Sequence, residues 1–374
     1  MCGAGAAGCA GRGRVRGKGG GADIQWRGCG RVRFAGGMGI ERFSAEDGRR
    51  AEACYEIFRA ARAADDPDIP VMPPRVFLGW LQTGFMGDPR ETWLLEDAAG
   101  AGGWYLLELP SRDNGHLSGL EIQVAPGRRR HGLGTALLRH AAGRAVADGR
   151  RLLVGYTLAG TGGEAFARAA GAAGGQTEIR RAMDINAISA ERLAGLRAVA
   201  ERASTGYSLV SWAAPTPEEH LDQVAALNRA GNDAPHDESQ EELRWDAARV
   251  RATDRRAQLY GLLAYTVMAC HDATGEAAGL TLVEVGPERP DWGFQALTAV
   301  AREHRGHRLG LRLKLAMLDL LARQEPQVKH ILTSNSETNG HMIGINESLG
   351  YRAIGPPERS WELPAARVLG PAQS

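Results

Sequence analysis

The chain has 374 residues, 43% of them hydrophobic and 6% aromatic, and a formal net charge of +1, which predicts a globular protein of two or three domains. The charge is uneven: residues 1–37 hold seven Lys/Arg against Asp23 alone, a balance of +6 that leaves −5 for the rest. A mildly acidic remainder argues against a broad nucleic-acid surface, no apolar run reaches the roughly 18 residues of a membrane span, and five cysteines without metal-ligand spacing predict a reducing, cytoplasmic setting and no metal.

Residues 1–37 are Gly/Arg/Ala-rich without an apolar period and are expected to be disordered. The plain reading is a solvated tail or a mis-assigned start upstream of Met38; the alternative is a basic arm that touches RNA or anionic partners. From Met38 the pattern becomes globular. Ile40–Phe43 suits a short strand, Glu46–Asp65 and Arg75–Thr83 suit helices, and Thr92–Glu96, Trp104–Glu108 and Leu117–Val124 suit strands. Gly132–Asp148 reads as a helix, Arg151–Thr157 as a strand, Glu164–Ala170 as a short helix and Glu178–Ile185 as a closing strand. Ser189–Ala203 has the spacing of a helix that bridges two halves.

Then the order restarts. Tyr207–Trp212 is a strand, Pro217–Arg229 and Glu238–Ala257 are helices, and Leu262–Cys270, Ala278–Val285 and Gly293–Val300 are strands. Leu309–Arg323 is a helix, His330–Ser334 a strand and Asn339–Leu349 a helix, and Tyr351–Leu363 ends the core. The expected domains are 38–187 and 206–365, joined by a linker helix over 188–205 and followed by a tail over 366–374. The fold class is α+β, each domain a mostly antiparallel mixed sheet with helices on both faces.

One pattern occurs in both halves. The first copy runs Val124-Ala-Pro-Gly-Arg-Arg129-Arg130-His-Gly132-Leu-Gly134-Thr135, the second Val300-Ala-Arg-Glu-His304-Arg305-Gly306-His307-Arg308-Leu309-Gly310, and the final glycines lie 176 positions apart. Each is a strand, a basic glycine turn and a Leu/Ala-rich helix. Bare amides at a helix N-terminus, with arginines nearby, suit a pyrophosphate. A Walker loop is excluded by the missing Gly-Lys-Ser/Thr, and a dinucleotide fingerprint by Leu137 in place of a third glycine. The second copy is followed by Thr333-x-Asn335-x-x-x-Asn339-x-x-Met342-x-x-Ile345-Asn346-x-x-Leu349-Gly350-Tyr351.

These residues resemble the GNAT family of acyl-CoA-dependent N-acetyltransferases, in tandem over roughly 40–365. Double members of that family include mycothiol synthases, although nothing here singles out their substrate. The resemblance implies acetyl-CoA as co-substrate, held in the first copy by Val124, Arg129, Arg130, Gly132, Gly134 and Thr135. In the second it implies Val300, Arg305, Gly306, His307, Arg308, Leu309 and Gly310, with Asn335 and Asn339 beside the pantetheine arm. Asn339 also suits an N-cap. The second copy departs from the family pattern at Arg308, where a glycine is usual.

The implied reaction is attack of an amine of a small molecule or peptide on the thioester, which requires loss of an ammonium proton. Glu121, three residues before Val124, matches a family position for the base. Its counterpart in the second copy is Leu297, so Glu284 on the preceding strand is the substitute candidate, with His304 and His307 behind it. Neither half has the family's tyrosine acid; Ala167 and Asn346 stand there, and Asn346 is the candidate hydrogen-bond donor. The fuller asparagine stretch favours the C-terminal copy as the active one. The alternative function is a non-catalytic acyl-CoA sensor or assembly module. Oligomeric state is left open.

Overall fold

The computed structural model describes residues 39–84, 86–233 and 235–370, together with the backbone of 14–15, 24–27 and 31–33. Strands β1 (Arg14–Val15), β2 (Ile24–Arg27) and β3 (Arg31–Arg33) form an antiparallel ladder that ends on β4 (Gly39–Phe43). The expectation of disorder over 1–37 otherwise lies outside the described residues.

The first half continues with α1 (Gly48–Asp65), α2 (Pro74–Gln82), β5 (Arg90–Asp97), β6 (Gly100–Glu108), β7 (Leu117–Val124), α3 (Leu133–Ala147), β8 (Leu152–Leu158), α4 (Gly162–Ala169) and β9 (Ala173–Asp184). Both faces of β5 and β6 are covered, so successive residues bury alternately on opposite sides. Trp93, Leu95, Tyr105 and Leu107 bury against Leu137, Ala141 and Ala145 of α3. Leu94, Trp104 and Leu106 bury on the opposite face against Cys54 and Phe58 of α1 and Phe77 of α2.

After α5 (Ala190–Ala203), the second half repeats the plan: β10 (Tyr207–Ala213), α6 (Leu221–Arg229), α7 (Ala247–Tyr260), β11 (Leu263–His271), β12 (Ala277–Gly286), β13 (Arg289–Val300), α8 (Leu309–Gln324), β14 (His330–Ser336) and α9 (Gly340–Ser348). Then come β15 (Arg352–Ala353), β16 (Glu358–Pro364) and α10 (Ala365–Leu369). Leu313, Met317 and Leu321 of α8 cover one sheet face, and Leu221 and Val224 of α6 with Val250 of α7 cover the other.

Helix α7 starts later than its sequence pattern suggested. Asp246 caps it by accepting from the Arg249 amide at 2.8 Å, and the Arg112 guanidinium also holds Asp246. Residues 238–246 are therefore a loop that reaches the first half.

All strands join one sheet; after β1–β3 its order is β4-β5-β6-β7-β8-β16-β9-β14-β13-β12-β11-β10, and β15 pairs with β9 off this path. Only β7–β8 and β13–β14 are parallel neighbours on this path. The halves exchange strands. β16, from the end of the chain, lies between β8 and β9, and β9 runs on to pair with β14 through Glu178–Asp184. Leu363 and Ala365 accordingly belong to the first half's core. The expected assignment of the last strand to the second half alone gives way to this interleaving. No helix among the described residues is long and apolar enough to cross a membrane.

Candidate active site

Strands β7 and β8 pair only from Leu117–Gly119 to Leu152–Val154, then splay. The gap opens into a cavity of about 550 Å³ bounded by α1, the turn after β7, α4 and β16. Glu121, Val124, Arg129, Arg130, Gly132, Gly134 and Thr135 all line it. The sequence thus marked a set that the fold gathers around one space.

The turn is built for close approach by an anion. Arg130 and Gly132 both take positive φ, +66° and +80°. These two left-handed residues bend the chain into α3, whose first amides have no intrahelical acceptor. The arginines divide their tasks. Arg129 folds back onto the Val124 carbonyl at 3.4 Å and grips Asp65 of α1 through two bonds of 2.8 and 2.7 Å. Arg128 pairs with Asp97. Both brace the turn. Arg130 is exposed and has no ion pair among the described residues, so its charge faces whatever binds there.

The second half repeats this turn with the glycine moved. Gly306 and Arg308 take positive φ, +89° and +53°. Arg305 reaches the Val300 carbonyl at 3.3 Å and pairs with Asp233 at 2.5 Å, as Arg129 does with Val124 and Asp65. The departure at Arg308 therefore preserves the turn's geometry. The cleft beside it is different. Strands β13 and β14 also splay beyond Phe294 and Leu332. Yet Ile345 of α9 presses on the start of α8, 3.1 Å from where a Gly310 Cβ would sit. Lys314, placed as Leu138 is in the first half, is 4% exposed and donates to Gln295 Oε1 at 2.5 Å. The Tyr351 hydroxyl donates to the same oxygen at 3.2 Å. Side chains fill the second half where the first is open.

The comparisons fit this geometry. No protein-family model and no curated protein matches the chain. Among solved structures, a tandem GNAT protein from the clavulanic acid biosynthesis pathway superposes with a TM-score of 0.75 at 29% identity, over 90% of this chain and 100% of that one. A GCN5-related N-acetyltransferase from Sphaerobacter thermophilus gives 0.63 at 15% identity, over 88% and 96% of the two chains. A glucosamine N-acetyltransferase region of a fungal multi-domain β-N-acetylglucosaminidase gives 0.62 at 13% identity, over 88% of this chain and 39% of that one.

The chain has a tandem GNAT architecture. Within this architecture, the candidates marked in the second half are committed elsewhere. Glu284 is sealed, 5% exposed, in an ion pair with Arg256 of α7, which leaves it no route to an amine. Asn339 caps α9 by accepting from the Met342 amide at 3.2 Å. Asn346 is fully buried and donates to Asn335 Oδ1 at 2.7 Å, so both asparagines tie α9 to β14. His304 meets the Tyr207 hydroxyl at 3.0 Å, and His307 stands 3.3 Å from the Ala203 carbonyl. This packing argues against the C-terminal copy as the working one.

Two features of the open site gave no signal in the sequence. Glu358 and Trp361 of the exchanged β16 line the first-half cavity. Partial burial pushes the Glu358 carboxyl above the ordinary range, with Glu121 and Glu178 adding and Arg62 and Arg180 opposing. The loop after α6 also arrives from the second half. Asp237 accepts from the Gln176 amide at 2.8 Å and from Ser360 Oγ at 2.6 Å. A Cβ on Gly175 would stand 2.3 Å from the Asp237 carboxylate, so only glycine admits it.

Proposed function

We propose that the protein is an acetyl-CoA-dependent N-acetyltransferase whose working site is in the first half. The observation that carries this is the splay of β7 from β8 at a basic turn whose amides and Arg130 face an open cavity. The coenzyme's pyrophosphate would rest on the turn at the start of α3. Its arm would lie between the splayed strands, where unpaired main-chain amides near Val124 serve as donors to the developing oxyanion. The acceptor is an amine of a small molecule or peptide, entering on the face that carries Glu121. Alternation puts Glu121 and Gln123 on the α1 side, because Leu120, Ile122 and Val124 pack toward α3. The second half acts as a scaffold that lends β16 and the 235–242 loop.

Calorimetric titration with acetyl-CoA tests this. Arg130→Glu is expected to weaken binding at least tenfold, since it removes a charge-assisted contact and adds repulsion. Arg308→Glu, in the filled half, is expected to leave the affinity unchanged. Equal loss in both variants, or no uptake by the wild type, would overturn the assignment. Binding without release of thiol to any amine would favour the sensor reading.

A further inference from the structure

Resting on that reading, we infer that Glu358, delivered by the last strand of the second half, takes the proton from a cationic acceptor amine in the first-half site, with Glu121 holding the ammonium beside it. The placement comes from the exchange. β16 lies antiparallel to β8 and β9, with Glu358 opposite Leu158 on one side and Glu178 on the other. Side chains alternate along β16. Trp361 and Leu363 face the α3 and α4 side, where Trp361 Nε1 donates to Thr157 at 2.7 Å and Leu363 joins the core. Ser360 faces the opposite side and meets Asp237. Glu358 shares the face of Ser360, and so shares the α1 side with Glu121. Glu121 stands on β7 at the splay, Glu358 on β16 one strand beyond β8, and both line the same cavity.

Their surroundings differ in the way that separates an acid–base group from an electrostatic anchor. Gln123 Nε2 donates to Glu121 Oε1 at 2.6 Å and fixes that carboxyl in place. The Glu358 backbone pairs within the sheet, but its carboxyl has no hydrogen bond or ion pair among the described residues. The two arginines nearest in charge, Arg62 and Arg180, are both spent on Asp66, at 3.3 Å and at 2.5 and 2.9 Å. Glu358 therefore faces the cavity unpaired, beside Glu121 and Glu178. A cation satisfies that field, and a carboxylate held above its ordinary range is a better proton acceptor.

The step balances as follows. The ammonium gives one proton to the Glu358 carboxylate. The freed nitrogen lone pair forms the C–N bond at the thioester carbonyl. The C–S bond breaks with its electrons on sulfur, which takes the second nitrogen proton and leaves as coenzyme A thiol. Glu358 returns its proton to solvent.

The test compares Glu358→Gln and Glu358→Asp with the wild type in the full chain. Acetyl-CoA affinity is read by calorimetry, and turnover is read by thiol release with putrescine, glucosamine and Gly-Gly across pH. Glu358→Gln is expected to bind acetyl-CoA within twofold of the wild type, to lose about 100-fold in kcat, and to lose the acidic limb of its pH profile. Glu358→Asp is expected to restore part of the rate. A Glu358→Gln variant with normal kcat and an unchanged pH profile would overturn the inference. If none of the three amines turns over, carbodiimide coupling of ethylenediamine decides. Labelling of Glu358, suppressed by acetyl-CoA, supports the inference, and an unlabelled Glu358 overturns it. Failure of acetyl-CoA to bind the wild type strikes the underlying reading instead.

Discussion

At the scale of single residues, each half's turn needs two left-handed positions and supplies one glycine and one arginine. The pairs are Arg130/Gly132 and Gly306/Arg308, with the order reversed. A left-handed arginine costs roughly 1 kcal/mol, because its Cβ crowds the following carbonyl. Arg130→Gly and Arg308→Gly are each expected to raise the free energy of unfolding by about 1 kcal/mol in urea titrations. A loss of stability would show that the arginine side chain contributes more than its strain costs. Lys314 presents the opposite case of a charge held in a core. Burial lowers its pKa to about 7 from its ordinary 10.5. Between those values the unfolded chain binds the proton and the folded chain does not, so stability rises with pH through this window. Lys314→Met removes the cost of that burial, and Gln295 keeps the Tyr351 hydroxyl. The variant's advantage is expected to be largest at and below pH 7. It should shrink by about 1.4 kcal/mol per pH unit above it. A pH-independent difference between the two urea midpoints would show that Lys314 is already neutralised by another route.

At the scale of elements, the two halves differ in the short helix that closes each cleft. Helix α4 reads Gly-Gly-Glu-Ala-Phe-Ala-Arg-Ala and buries none of its residues, whereas α9 carries Met342, Ile343 and Ile345 and seats Asn346 in the core. Apart from Phe166, which packs on the start of α3, the small side chains of α4 leave the first cleft open, and larger ones close the second. The turns, most strands and the helix starts were readable because glycine, period and capping residues act locally: Asn339 was marked as a cap and is one. The open half was not, since it depends on side chains that are missing and on how far a helix settles. Glu284 was marked as the substitute base, and only its partner Arg256, 28 positions away, shows that it is committed. Ala167 lines the open cleft. Ala167→Phe is expected to fill that space, lowering acetyl-CoA affinity at least tenfold while the melting temperature holds, because α4 buries nothing that the substitution would displace. Unchanged affinity in calorimetry would place the coenzyme's arm elsewhere.

At the scale of the whole molecule, the exchange of β9 and β16 makes the repeat more than two copies in series. Sequence order suggested two self-contained units, since chain position carries no information on which sheet a late strand joins. The first half's core lacks a strand without β16, and β14 lacks a neighbour without β9. Salt bridges reinforce the join, among them buried Arg249 with Asp113. Trp361 shows the consequence. It is 5% exposed, comes from the C-terminal strand, and packs in the first half with its indole on Thr157. Trp361→Ala should therefore cost about 3–5 kcal/mol, the usual loss for a large buried aromatic. That loss should appear in the stability of both halves, because neither half's part of the sheet closes alone. Calorimetric melting of the wild type is expected to give one transition, and of the variant one transition at lower temperature. Hydrogen exchange should show β8 and β13 losing protection together. Two resolved transitions, with only the first shifted, would mean that the halves fold independently and that the exchanged strands are an attachment rather than a shared core.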